Sequence, residues 1–266
     1  MKLYVMRSGI ITDMPREFMY GTGKPVDYND VMSIPIQSYL IDHPEGLVLY
    51  DTGHSRLERF FKPEKPGDKP AWLVPEEDKL PNQLARLGIK PSQIKYVVCS
   101  HLHVDHEGYL DLFTDALVIV HSAEFAHVAT HYAGGNLVYP YVKKDFEEWL
   151  QVGLKWNLIE SHQEDIPLLD GITIYNFGSG HSYGMLGLMV KLPITGNIIL
   201  VSDAIYSQKN FGPPVHVPGF NIDEGGFIRT VNYVRELAEK HTAHIWFGHD
   251  MDQFNRLVKM DEGYYE

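Results

Sequence analysis

The sequence predicts a layered α/β fold, and three observations predict it. Short apolar runs alternate with segments of helical spacing along the chain. No linker-like stretch interrupts that alternation, so residues 1–266 read as a single domain. Several of the apolar runs end directly on histidine or aspartate, where open α/β architectures usually place their sites.

Taken in order, Met1-Lys2-Leu3-Tyr4-Val5-Met6-Arg7 reads as a short first strand. Ile34 to Ile41 and Leu47 to Tyr50, joined by Pro44-Glu45-Gly46, predict a hairpin that stops at Asp51-Thr52-Gly53-His54. Residues 62–78 are rich in Pro, Lys, Asp and Glu and predict an exposed excursion. Overlapping it, Phe60-Phe61 to Trp72-Leu73-Val74 reads either as a lid-like arm (residues 60–75) or as a surface loop with hydrophobic anchors. Leu80 to Leu87 has helical spacing and ends at Gly88. Ile94 to Ser100 and Ala116 to Val120 predict strands, followed by helices near Ser122 to Tyr132 and Asp145 to Val152. Ile172 to Phe177 is a strand ending in Gly178-Ser179-Gly180-His181, and Asn197 to Ser202 ends in Asp203. Phe227 to Lys240 predicts a helix, and Ala243 to Phe247 ends in Gly248-His249-Asp250.

Composition excludes several classes. The formal net charge of −12 repels phosphate backbones, which argues against a nucleic-acid partner. The apolar runs are too short to span a bilayer, and the N-terminus lacks a signal-peptide pattern, so the expected setting is cytoplasmic without a membrane partner. Cys99 is the only cysteine, which excludes an intrachain disulfide and a thiolate-rich zinc site. Any metal must therefore be held by imidazole and carboxylate.

The segment His101-Leu102-His103-Val104-Asp105-His106 packs three imidazoles and one carboxylate into six residues, directly after an apolar strand. Imidazole nitrogens and carboxylate oxygens are the ligands of zinc and similar divalent ions. His101 and His103 alternate as on a strand end and can turn to one side, whereas Asp105 and His106 follow a bend and can face a second ion. His181, Asp203 and His249 follow later strands and complete the candidate set, with Gly180 and Gly248 allowing close backbone approach. Among the remaining histidines, His127 and His131 have the i, i+4 spacing of a metal pair but no carboxylate in the same turn, and His54, beside Asp51-Thr52-Gly53, is left unassigned. His121, His127 and His131 are expected on a solvated helix face, and His43, His162, His216, His241 and His244 in loops or on the surface.

This order of motifs resembles the metallo-β-lactamase superfamily over nearly the whole chain. The resemblance implies an αββα sandwich and two divalent metal ions, with Zn2+ the first candidate among Zn, Mn, Fe and Co. It implies that His101, His103 and His181 hold one ion, that Asp105, His106 and His249 hold the other, and that Asp203 bridges them. Asp51 would then orient a ligand rather than bind metal.

Asp203-Ala204-Ile205-Tyr206, Lys209-Asn210-Phe211, Pro218-Gly219-Phe220 and Phe247-Gly248-His249-Asp250 are similar to the N-acyl homoserine lactonase group. That resemblance implies opening of a lactone ring, with Tyr206 donating a hydrogen bond to the carbonyl and Asp105 passing a proton to the leaving oxygen. It also implies a pocket lined by Phe211, Gly219 and Phe220. Two positions depart from the group: Met185 replaces a frequent second histidine, and Val104 a frequent aromatic residue, which bears on the acyl pocket. Pyridoxolactonase-like enzymes share the ligands and the tyrosine, so the exact lactone stays open. A thioesterase of the glyoxalase II type lacks support because no C-terminal helical domain is evident. From another class, a di-iron redox module would need a fused flavodoxin-like domain, and a non-catalytic metal-binding module would not need Tyr206.

Overall fold

The structure is a computed structural model, which describes residues 1–57 and 70–266. It opens with β1 (Lys2–Pro15), α1 (Arg16–Tyr20), β2 (Val31–His43), β3 (Gly46–Tyr50), β4 (Trp72–Leu73) and α2 (Leu80–Arg86). The middle holds β5 (Ile94–Val98), β6 (Leu117–His121), α3 (Ser122–Ala133), α4 (Lys143–Val152), β7 (Lys155–Ile159) and β8 (Asp165–Leu169). The chain continues through β9 (Ile172–Gly178), β10 (Met185–Leu192), β11 (Gly196–Ser202) and α5 (Gln208–Phe211). Last come α6 (Glu224–His241), β12 (Ala243–Phe247) and α7 (Met251–Arg256).

Among the described residues the strands form two sheets, ordered β4-β1-β2-β3-β5-β6-β7 and β12-β11-β10-β9-β8. The sheets pack face to face. Leu3, Val5, Ile41, Val48, Val98 and Ile119 of the first meet Ile174, Leu186, Leu188, Val190, Ile198 and Leu200 of the second, all essentially inaccessible. Each such side chain contributes about 1.5–3 kcal/mol relative to exposure, so this inter-sheet layer is the main reason the sheets stay together. Buried polar bonds fix their relative position: the Tyr50 hydroxyl donates to the Leu186 carbonyl at 2.8 Å, and the Leu186 amide to the Ser100 carbonyl at 2.9 Å.

Helices cover both outer faces. Val128, Phe146 and Trp149 of α3 and α4 close the first sheet together with Leu80 and Leu84 of α2. On the second sheet, α6 buries Phe227, Val231, Val234 and Leu237, a one-sided stripe at helical spacing. Its start is set by Asp223, which accepts from the Gly226 amide at 2.9 Å; the helix thus begins three residues before the apolar stripe from which its extent was read. The architecture is the expected αββα sandwich. No helix of the described residues is long and apolar enough to cross a membrane.

Several sequence expectations are corrected. The first strand runs to Pro15, and β7, β8 and β10 were not anticipated; β7 is a five-residue edge strand with mostly exposed side chains. His43 is buried at the end of β2, its Nε2 2.9 Å from the Asp170 carbonyl oxygen. His121 is buried too, and its Nδ1 accepts from the Ala123 amide at the start of α3. His127 is half-buried against Tyr183 rather than solvated. Phe60 and Phe61 of the lid-like arm lie outside the described residues. Trp72, at its far end, is buried and pairs with Ile11 of β1.

Gly108 shows how closely the loops behind the site approach. A Cβ there would stand 1.6 Å from the His54 carbonyl oxygen, and the Gly108 amide donates to the Gly53 carbonyl at 2.9 Å. Gly108→Ala is therefore expected to lower stability by about 1–3 kcal/mol, read by chemical denaturation. An unchanged midpoint would show that this approach is not needed.

Candidate metal centre

All the predicted ligands meet where strand ends of the two sheets converge. His101, His103, Asp105 and His106 lie on the loop after β5 of the first sheet. His181 follows β9, Asp203 follows β11 and His249 follows β12, all from the second. Each of these residues is at least nine-tenths buried. The turn after β12 depends on Gly248, because a Cβ there would press to 2.6 Å from the Ser202 carbonyl carbon. The Gly248 carbonyl accepts from Gln37 Nε2 at 2.8 Å, which ties this turn to β2.

Two ligand groups result, one of His101, His103 and His181 and one of Asp105, His106, Asp203 and His249. In the first, His181 Nε2 stands 2.8 Å from His103 Nδ1 and 3.2 Å from His101 Nε2. Burial, reinforced by the neighbouring imidazoles, pushes the pKa of His101 well below the usual value. Burial likewise lowers His181, to about 4. These rings are neutral at pH 7, and their nitrogens converge on one point. In the second group, Asp203 Oδ1 is 3.3 Å from His106 Nε2 and 3.0 Å from His249 Nε2, and Asp105 Oδ2 lies 3.6–3.7 Å from both. Burial works to lower the pKa of His106 and His249, but the carboxylates led by Asp203 outweigh it and hold both raised.

Asp203 faces both groups. While Oδ1 points to the second, Oδ2 is 3.4 Å from His181 Nε2 and 4.0 Å from His101 Nε2. Among the described residues, His106 Nε2 and Asp203 Oδ1 are buried without a hydrogen-bond partner. Buried ring nitrogens converging on one point, next to a carboxylate oxygen without a hydrogen bond, are an unfavourable arrangement that a divalent cation relieves. The residues fit two such ions.

The surrounding shell orients the ligands. Asp51 Oδ2 accepts from His106 Nδ1 at 2.9 Å, and His249 Nδ1 donates to the Pro35 carbonyl at 2.8 Å. His101 Nδ1 bonds Ser100 Oγ at 2.9 Å. Each leaves the other ring nitrogen directed inward. Asp51 and Ser202 both have positive φ (59° and 47°), a costly conformation outside glycine that recurs at functional sites.

A cavity of about 580 Å³ opens above both groups, lined on the ligand side by His103, Asp105, His181, Asp203 and His249 and closed by Tyr206. Its other walls are mostly apolar, from Ile11, Met14, Phe18, Ala71, Trp72 and Phe220, with Asp13, Tyr28 and Tyr139 also lining it. Of the three predicted pocket residues only Phe220 lines it. Phe211 packs on Phe247 with the Arg235 guanidinium over its ring, and Gly219 packs against the Glu17 carbonyl; neither is among the cavity-lining residues. Val104 is buried in the cluster of Ile11, Trp72 and Tyr206, and Met185 accepts from Ser182 Oγ at 3.0 Å. The contributions of β1 and α1 to the wall were missed, since nothing in their sequence refers to residues some two hundred positions away. Glu124 was missed as well: a lone acidic residue in a helix's first turn reads as an ordinary helix start, yet it is fully buried behind His101 and His181.

Comparisons with known proteins agree with this geometry. The profile of the metallo-beta-lactamase superfamily matches residues 34–182. An N-acyl homoserine lactonase of Agrobacterium fabrum, AiiB, is 38% identical over 253 residues, covering 91% of this chain and 89% of the relative. The lactonase AttM of Rhizobium radiobacter is 32% identical, covering 99% of this chain and 98% of its own. A crystal structure of an N-acyl homoserine lactone hydrolase, with the product N-hexanoyl-L-homoserine bound at the catalytic metal centre, superposes with a TM-score of 0.79 at 26% identity, covering 100% of this chain and 98% of that one. A profile matching more than half of the chain, and relatives above 30% identity along nearly all of it, show that the chain belongs to the metallo-β-lactamase superfamily.

Proposed function

We propose that this protein opens the ring of N-acyl homoserine lactones by hydrolysis at two divalent cations, with Zn2+ the first candidate. The observation that carries this reading is the placement of Tyr206, whose hydroxyl lies 2.8 Å from His181 Nδ1 in the cavity above both ligand groups. The similarity to proteins named N-acyl homoserine lactonase supports it. His101, His103 and His181 would hold one ion and Asp105, His106 and His249 the other, with Asp203 between them. When bound, the cations supply a water activated at neutral pH and positive charge for a carbonyl oxygen.

The protein's own side chains supply the rest. With Nε2 of His181 turned to the ligand group, its proton sits on Nδ1 and is donated to the Tyr206 oxygen. Tyr206 then keeps its own proton, which faces the Phe220 carbonyl at 3.4 Å, to turn to the substrate. Burial, followed by the charges of Asp203 and Asp105, holds the Tyr206 pKa well above 10, so it remains a neutral donor. A donor fixed in this way stabilises the oxyanion that develops at an attacked carbonyl. The Asp105 side chain is 12% exposed, against 3% for Asp203, which makes it the carboxylate best placed to hold a proton for the departing ring oxygen. The apolar wall from Ile11 to Trp72 suits an acyl chain. The reading includes a cytoplasmic setting and no nucleic-acid partner, in keeping with the net charge of −12.

Elemental analysis with pH-stat titration against lactones, open esters and thioesters tests this reading. Two cations per chain and selective lactone opening are expected; full activity with one cation or none would sink the two-cation scheme. Tyr206→Phe should keep both cations and lose roughly 10- to 1,000-fold in kcat. Parent-rate hydrolysis by that variant would remove the tyrosine from the mechanism. Asp203→Asn should hold fewer than two cations, because the amide offers one weak acceptor in place of two anionic oxygens. Two tightly held ions in Asp203→Asn would show that no bridge is needed.

A further inference from the structure

Helix α3 does more than cover the first sheet. His121, just before its first turn, and Glu124 and His127 within it all meet the loop that carries His181. Gly184 approaches the His121 ring so closely that a Cβ there would stand 2.2 Å from Nδ1. His127 stacks on the Tyr183 ring at 3.7 Å between centroids, 15° from parallel. Between these two contacts lies Glu124, with no accessible surface. Its Oε1 accepts from the Leu102 amide at 3.0 Å and its Oε2 from the Tyr183 amide at 3.1 Å.

Leu102 sits between His101 and His103, and Tyr183 lies two residues beyond His181. One carboxylate therefore ties together two loops from different sheets, and those loops bear every member of the first ligand group. The second group has further braces, Asp51 behind His106 and the Pro35 carbonyl behind His249. Burying a carboxylate is costly: desolvation raises the Glu124 pKa to about 7, against the hydrogen bonds that favour its charged form. Packing alone would be served by an apolar side chain. Two backbone amides answered by the two oxygens of one side chain are what a spacing constraint requires, and an isosteric amide cannot reproduce it, because its NH2 would face an N–H donor.

We propose that Glu124 is a positioning residue for the first cation, setting the distance between the His101–His103 loop and the His181 loop so that three neutral nitrogens meet at one point. The proposal rests on the two-cation reading above. Ligand geometry left unsupported by its outer shell loses metal affinity, typically about 10- to 100-fold.

Zinc titrated against a chromophoric chelator, in metal-free wild type and in Glu124→Gln, tests it. The wild type should show two sites. In Glu124→Gln one site should weaken by about 10- to 100-fold while the other is unchanged. With cobalt as the probe, the visible spectrum of the weakened site should change, a signature that loosened packing elsewhere would not produce. Two sites of wild-type affinity in Glu124→Gln would overturn the positioning role alone, whereas fewer than two in the wild type would overturn the two-cation reading with it. Should Glu124→Gln fail to fold, amide exchange in the metal-free wild type decides: Leu102 and Tyr183 are expected to be protected, and rapid exchange at either overturns the proposal.

Discussion

A single buried carboxylate, Asp51, holds the site together. It accepts hydrogen bonds from the Ser100 amide and hydroxyl at 2.7 and 2.8 Å, from His106 Nδ1 at 2.9 Å and from Ser202 Oγ at 3.2 Å. Ser100 precedes His101 and Ser202 precedes Asp203, so one residue at the end of β3 registers ligand loops from both sheets. A buried carboxylate is tolerable only when fully answered, and here the donors that answer it are the supports of the ligands. The positive φ of Asp51 and Ser202 is the local cost of bringing these segments together.

Glu124 stands in the same relation to the first ligand group on the other side of the loop. The ligands are thus clamped from behind by two carboxylates that are not themselves members of either ligand group. The inter-sheet apolar layer supplies the rigidity against which both clamps work, because a close-packed core transmits strain rather than absorbing it. Stability and function pull apart at this point. Buried imidazoles crowded around an Asp203 oxygen that lacks a hydrogen bond burden the fold, and a bound cation would relieve that burden.

The residues legible in the sequence were those whose chemistry is unusual for their location. Six residues with three imidazoles and a carboxylate cannot be an ordinary buried turn, and histidines or aspartates directly past strand ends share an address in any layered α/β fold. Tyr206 was legible through a resemblance rather than by period or composition. Residues that act by where they are buried were not legible. His43 and His121 look like surface histidines until β2 and α3 bury them, and Phe211 looks like a pocket residue until Arg235 and Phe247 enclose it. An edge strand such as β7 is too short for its alternation to stand out from the flanking turns.

The sequence by itself determined the kind of chemistry: which groups can bind cations, that no thiolate is among them, and that strands and helices alternate around a buried core. It could do so because ligand type and apolar period are local properties, carried by neighbouring residues. The sorting of seven ligands into two groups and the supporting role of Asp51 were implied by resemblance. Tertiary structure alone decided the choice of Glu124 as a second clamp and the walls contributed by β1 and α1. Those depend on contacts between segments far apart in the chain, and such contacts exist only once the two sheets have packed and their strand ends meet.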